Sequence, residues 1–195
     1  GFDVAGPLLI EPAVFGDHRG YFFESYNKEQ FSKHGIPNEF VQDNQSLSSK
    51  GVLRGLHFQN PPFEQGKLIR VIKGAVMDVI VDIRKQSPTY GKSLTMEITE
   101  KDHKMLWIPP GFAHGFVTLE DDTIFLYKCT NVYNKQSEGG ILWKDPELLI
   151  NWGFNPTTDA SRTFEITYLV EGAVRNYPNE DPANQQIWWT AISSA

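Results

Sequence analysis

Five histidines are present, and two of them stand among glycines in settings where an imidazole could move protons. His57 lies in Gly51-Val-Leu-Arg-Gly-Leu-His-Phe-Gln59, and His114 in Ile108-Pro-Pro-Gly-Phe-Ala-His-Gly-Phe116. An unperturbed imidazole titrates near pH 6.5, which suits a general base at neutral pH. The flanking glycines allow a close backbone approach or a bulge. Either histidine alone reads as well as a ring satisfied inside a β core. The pair, with Arg54 three residues before His57, gives the functional reading equal weight. His34 looks like a solvated helix end and His103 like part of a polar turn. Tyr127 and Tyr133 are six residues apart in Thr-Ile-Phe-Leu-Tyr-Lys-Cys-Thr-Asn-Val-Tyr, so one strand would carry both on a face with Phe125 and Cys129. That face is either aromatic core or, with Asn131, a polar pocket in which one tyrosine donates a proton and the other stacks. Arg19, Glu24, Gln42, Asp43, Asn44 and Lys67 are polar or charged but individually unremarkable.

Positioning these groups falls to strands. Residues 68–84 form two β-branched runs broken at Lys73-Gly74, which predicts a hairpin. In the second run Met77, Val79, Val81 and Ile83 alternate with residues that include Asp78, Asp82 and Arg84. Such alternation puts one face in a core and the other on water or a polar cavity. Further strands are expected at 92–99, 104–108, 114–119 and 123–133, separated by turn clusters such as Ser87-Pro-Thr-Tyr-Gly91. Many short strands at this spacing indicate an all-β sandwich or barrel. A helix is expected at 27–34, with Asn27 as its cap. A further short turn is expected at Asp145-Pro146.

The chain has 195 residues, about one domain, and a net charge of −6. That balance argues against a general nucleic-acid binder while allowing a local basic pocket. Apolar runs are too short to span a bilayer. Cys129, the only cysteine, fits a reducing compartment, and with no signal peptide in view the expectation is a cytoplasmic protein.

Pro109-x-Gly111-x-x-His114 resembles the second half of the cupin motif, but the first half reads His57-Phe58-Gln59, with glutamine where a second histidine ligand belongs. Two widely separated histidines make a poor metal shell, so no metal is expected. Together with Val14-Phe-Gly-Asp-His-Arg-Gly-Tyr-Phe-Phe-Glu24, Val41-Gln-Asp-Asn44, Gly66-Lys-Leu, Asp78-Val-Ile-Val-Asp-Ile-Arg84, Tyr127-Lys128 and Ser137-Glu-Gly-Gly-Ile-Leu-Trp143, these segments resemble the RmlC family, the dTDP-4-dehydrorhamnose 3,5-epimerases. The resemblance runs from about Gly6 to Trp152.

It implies a jelly-roll (cupin) sandwich with a few short helices, a homodimer, no cofactor, and a dTDP-4-keto-6-deoxyhexose substrate. The domain would occupy 1–153, and 154–195 would pack on it or on a partner subunit. By the same matching His57 is the base, Lys67 stabilises the enolate oxygen and Tyr127 returns the proton. Arg54 and Arg19 would pair with the diphosphate. Glu24, Gln42, Asp43, Asn44, His114 and Glu138 would line the nucleotide and sugar sites, and Tyr133 would stack on thymine. Arg19 and Glu24 sit on a strand that the family exchanges across the dimer. Regular alternation would put Arg54 and His57 on opposite faces, so a bulge near Gly55, or a strand ending before Leu56, is expected. The family orients its base with an aspartate about a dozen residues after the tryptophan that matches Trp152. Arg162-Thr-Phe164 stands there, leaving Asp159 as the nearest carboxylate, with Asp78 or Asp82 as alternatives. The runner-up functions are a C3- or C5-only epimerase, a non-catalytic sugar-nucleotide-binding cupin and, last, a metal-dependent cupin.

Overall fold

The strand-forming segments of this chain assemble into two five-stranded antiparallel sheets that face each other. The structure is a computed structural model, and it describes residues 4–36 and 39–142 together with the backbone of 167–170 and 187–190. In chain order the elements are β1 (Leu8–Ile10), β2 (Phe15–Asp17), β3 (Gly20–Phe22), α1 (Lys28–Lys33), β4 (Gln42–Ser48), β5 (Leu53–Gln59), β6 (Lys67–Lys73) and β7 (Ala75–Asp82). They continue with β8 (Ser93–Thr99), β9 (Met105–Ile108), β10 (Phe112–Thr118), β11 (Thr123–Cys129), β12 (Glu138–Gly140), β13 (Thr167–Val170) and β14 (Ile187–Thr190). One sheet runs β1-β9-β6-β11-β4 and the other β12-β5-β10-β7-β8, while β2-β3 and β13-β14 are separate two-stranded ribbons. This is the expected all-β jelly-roll sandwich. The Asp145 turn and most of the segment after 153 lie outside the described residues.

The core lies between the sheets. Ile69, Val71, Leu106, Ile108 and Phe125 of the first sheet meet Val76, Ile80, Ile98, Phe112 and Phe116 of the second. The outer face of the first sheet, with Leu68, Met105 and Trp107, is covered by Phe31 of α1 and by Ile36, Tyr26 and Phe40. Helix α1 starts where expected, because the Asn27 side chain accepts from the backbone N–H groups of Glu29 and Gln30.

Two sequence expectations need correction. The runs on either side of Lys73-Gly74 do not form a hairpin, because β6 belongs to one sheet and β7 to the other. Gly74, at φ +80°, turns the chain from one layer to the next. Nor does β7 keep one face wet, since every residue from Ala75 to Asp82 is buried. Its even positions Val76 and Ile80 join the intersheet core, while Val79 and Val81 join a second cluster with Leu56 and Ala113. Asp82 does not reach the interior polar groups. Its carboxylate accepts from Arg84, Ser87 and Thr89, and these bonds hold its pKa well below the usual value although burial opposes them.

The expected bulge is present. His114 is opposite His57 and Phe116 opposite Arg54, so Gly115 alone faces both Gly55 and Leu56. One extra residue on β5 brings Arg54 and His57 to the same side. The two backbones lie so close that a Cβ on Gly55, which has φ +109°, would stand 2.5 Å from both Gly115 Cα and the His114 carbonyl oxygen. Gly55→Ala is therefore expected to lose about 3 kcal/mol in urea unfolding, from overpacking and left-handed strain together. Gly16→Ala, whose added methyl meets only a carbonyl oxygen at 3.7 Å, should stay within about 0.5 kcal/mol of wild type. Equal midpoints for all three proteins would contradict this account of the bulge.

Candidate active site

Where the sheets part, they enclose a cavity of about 560 Å³ with both as walls, a volume typical of small-molecule sites. From the second sheet come Arg54 and His57 on β5 and His114 on β10. From the first come Lys67 on β6, Tyr127 on β11 and Asn44 on β4. Strand alternation explains the first wall. Lys67 continues the inward row of Ile69 and Val71, and Tyr127 the inward row of Phe125. Four lining residues are basic, Arg54, His57, Lys67 and His114, and none of the lining residues is a carboxylate.

This arrangement sets the protonation states. Burial, followed by the nearby charges of Lys67, His114 and Arg54, pushes His57 down to about 4. Burial lowers the Lys67 pKa, an effect opposed by Cys129, Asp78 and Glu138. Lys67 Nζ lies 5.9 Å from the centroid of the Tyr127 ring. Burial raises Tyr127 to about 12. At neutral pH the cavity thus offers a neutral imidazole on one wall and a protonated phenol on the other.

The remaining candidates fall into two groups. His114 Nε2 bonds Asp78 Oδ2 at 2.8 Å. Gln42 and Asn44 are linked side chain to side chain, and Gln42 Oε1 also accepts from the Tyr133 backbone N–H. Tyr133 donates its hydroxyl to Glu138 Oε2 at 2.9 Å, but it lies beyond the end of β11, not on the strand as expected, and is 54% exposed. Asp43 is turned outward onto Lys128. Arg19 is bound to Asp17 on the exposed β2-β3 ribbon, and neither it nor the exposed Glu24 lines the cavity. Asp159 lies outside the described residues. Among the described residues no group of three or more His, Cys, Asp or Glu converges as a metal site would require.

Ser48 was missed from sequence. Its hydroxyl accepts from Arg54 Nε at 3.1 Å and fixes the guanidinium. A signal existed, because Gln42, Asn44, Ser46 and Ser48 form a polar period-two row on β4, whose alternate residues are exposed.

A β-sandwich holding a basic cavity, with a neutral imidazole on one sheet and a protonated phenol on the other, has the chemistry to bind an anionic small molecule and move its protons. Residues 2–168 match the family described as dTDP-4-dehydrorhamnose 3,5-epimerase. The enzyme of that name from Salmonella typhimurium is 53% identical over 168 residues, covering 86% of this chain and 92% of the relative. The RmlC epimerase structure from Legionella pneumophila, in complex with dTDP-4-keto-L-rhamnose, superposes with a TM-score of 0.75 at 43% identity, covering 81% of this chain and 84% of that one. A 3'-monoepimerase from Streptomyces bikiniensis, in complex with dTDP-quinovose, gives 0.73 at 30% identity over 82% of each chain. The chain belongs to the dTDP-4-dehydrorhamnose 3,5-epimerase family.

A ¹⁵N NMR titration of the histidines tests the electrostatics directly. His57 should titrate with a midpoint near 4. A midpoint at or above about 6.5 would contradict a buried ring set among positive charges in a cavity whose lining holds no carboxylate.

Proposed function

We infer that the protein is an isomerase that inverts C3 and C5 of dTDP-4-dehydro-6-deoxy-D-glucose to give dTDP-4-dehydro-L-rhamnose. The observation that carries this reading is a cavity with four basic and no acidic lining side chains in a chain of net charge −6. A nucleoside diphosphate supplies the negative charge such a cavity favours, and Arg54, steadied by Ser48, is placed to pair with it. The protons at C3 and C5 are acidic because each is α to the C4 ketone. A neutral His57 takes one of them and leaves an enolate. A base this weak succeeds only where the oxyanion is strongly held, and Lys67 supplies that fixed positive charge. Tyr127, protonated and on the other wall, delivers a proton to the opposite face.

The nucleotide end of the site is assigned to Gln42, Asn44, Glu138 and Tyr133, whose phenol is steadied by Glu138 for stacking on thymine. Arg19 and Glu24 are assigned to the site of a second copy of the chain. The ribbon that bears Arg19 exposes Phe15 at 67% and Phe22 at 70%, apolar surface that a homodimer would cover. A buried free thiol at Cys129 and a nucleotide-sugar substrate both fit a cytoplasmic location. Inversion at both carbons is favoured over inversion at one, because the relatives named 3,5-epimerase reach 53% identity and the structures named 3'-monoepimerase 30%.

Proton NMR of the 4-keto-6-deoxyglucose nucleotide incubated with the protein in D₂O tests the reading. Deuterium should enter C3 and C5 with both centres inverted. Entry at one carbon would make the protein a single-site epimerase, and no entry would overturn the reading. Lys67→Ala should lower kcat by about 10²–10³. Affinity for dTDP should change less than about threefold, since the ammonium acts on charge that develops only in the transition state.

A further inference from the structure

Asp78 breaks the pattern of its strand. It stands between Val76 and Ile80 in the inward row of β7, is 1% exposed, and faces an otherwise apolar intersheet core. One carboxylate oxygen bonds His114, and the other, Oδ1, has no hydrogen-bond partner among the described residues. A buried carboxylate with an unsatisfied oxygen weakens a fold, so packing alone gives no reason for it. The geometry around it does. His114 lines the cavity, and its backbone is the register partner of His57. Its ring is flanked by Phe116 at 6.4 Å and Phe125 at 6.2 Å between centroids.

We propose that Asp78 is a positioning residue of the epimerase site: its carboxylate fixes the proton on Nε2 of His114 and holds that imidazole against the sugar-binding wall that carries His57. A carboxylate can only accept, so the proton belongs to the ring nitrogen it faces. Nδ1 is left to accept from a substrate hydroxyl while the ring is neutral, or to donate to a substrate oxygen when the ring carries a second proton. Asp78 also acts on the opposite wall, where its negative charge helps Lys67 keep its proton against burial. Asp82, the other carboxylate of β7, has no part in this, being bound to Arg84, Ser87 and Thr89. The proposal rests on the epimerase reading above.

A double-mutant cycle tests it. Asp78→Asn should lower kcat about 10²-fold with dTDP affinity and the far-UV spectrum unchanged. The same substitution in a His114→Ala background should cost almost nothing further, because a residue that acts through His114 has nothing left to position. Full activity in folded Asp78→Asn, or losses that multiply independently of His114, would overturn the proposal. Should Asp78→Asn fail to fold, ¹⁵N NMR of wild-type His114 decides. A ring that keeps its Nε2 proton, with or without a second proton on Nδ1, supports the proposal, and a ring protonated on Nδ1 alone or averaging between the two nitrogens overturns it. A wild-type protein that exchanges no deuterium overturns the epimerase reading and this proposal together, whereas an active wild type with independent losses overturns only this proposal.

Discussion

The site depends on two glycines whose backbones lie closer than any side chain would permit. Gly55 and Gly115 pack face to face across β5 and β10, and the extra residue on β5 is absorbed there. Without that bulge, regular alternation over the three-residue spacing would send Arg54 and His57 to opposite faces of the sheet. One of them would then join Leu56 among the apolar groups on the outer side. The bulge lets one strand present to the cavity both the guanidinium proposed to pair with a diphosphate and the imidazole proposed as the base, and it seats them beside His114 of the next strand.

The electrostatics follow from what the two sheets bury together. Burial first, and then the positive charges gathered in the cavity, make a proton on His57 costly to keep. The same burial raises the Tyr127 phenol further above neutral pH. Burial thus reinforces the states that the proposed base and acid need, and the two stand on different sheets. Removing a proton from one face of a sugar ring and returning it to the other needs that separation. Rigid walls of paired strands hold it better than loops would.

Much of this was legible in the sequence, and the misses are instructive. Alternation located β8, β9, β10 and β11 to within a few residues, and Asn27 marked the start of α1. The conflict between Arg54 and His57 was enough to predict either a bulge near Gly55 or a strand ending before Leu56, and β5 carries the bulge. Alternation does not encode the partner sheet, however, so the runs either side of Gly74 were read as a hairpin when they lie in different layers. Nor does it show that β7 is covered on both faces, which is what puts Asp78 next to His114, a contact between residues 36 positions apart. Tyr133 was assigned to the face of Tyr127 by counting along a strand that ends at Cys129. The row of Gln42, Asn44, Ser46 and Ser48 had the right period, and only its neighbours in space reveal that Ser48 steadies Arg54.

The central claim is that His57 removes the proton from one side and Tyr127 returns it from the other. Deuterium wash-in with His57→Asn and Tyr127→Phe tests this most directly, with folding of both variants checked beforehand. In D₂O, Tyr127→Phe should still incorporate deuterium into the 4-keto sugar while the configuration at the exchanged carbon is retained, because the base can return what it took. His57→Asn should incorporate none. Wash-in by His57→Asn at the wild-type rate, or inversion by Tyr127→Phe at the wild-type rate, would contradict the assignment of base and acid to the two walls.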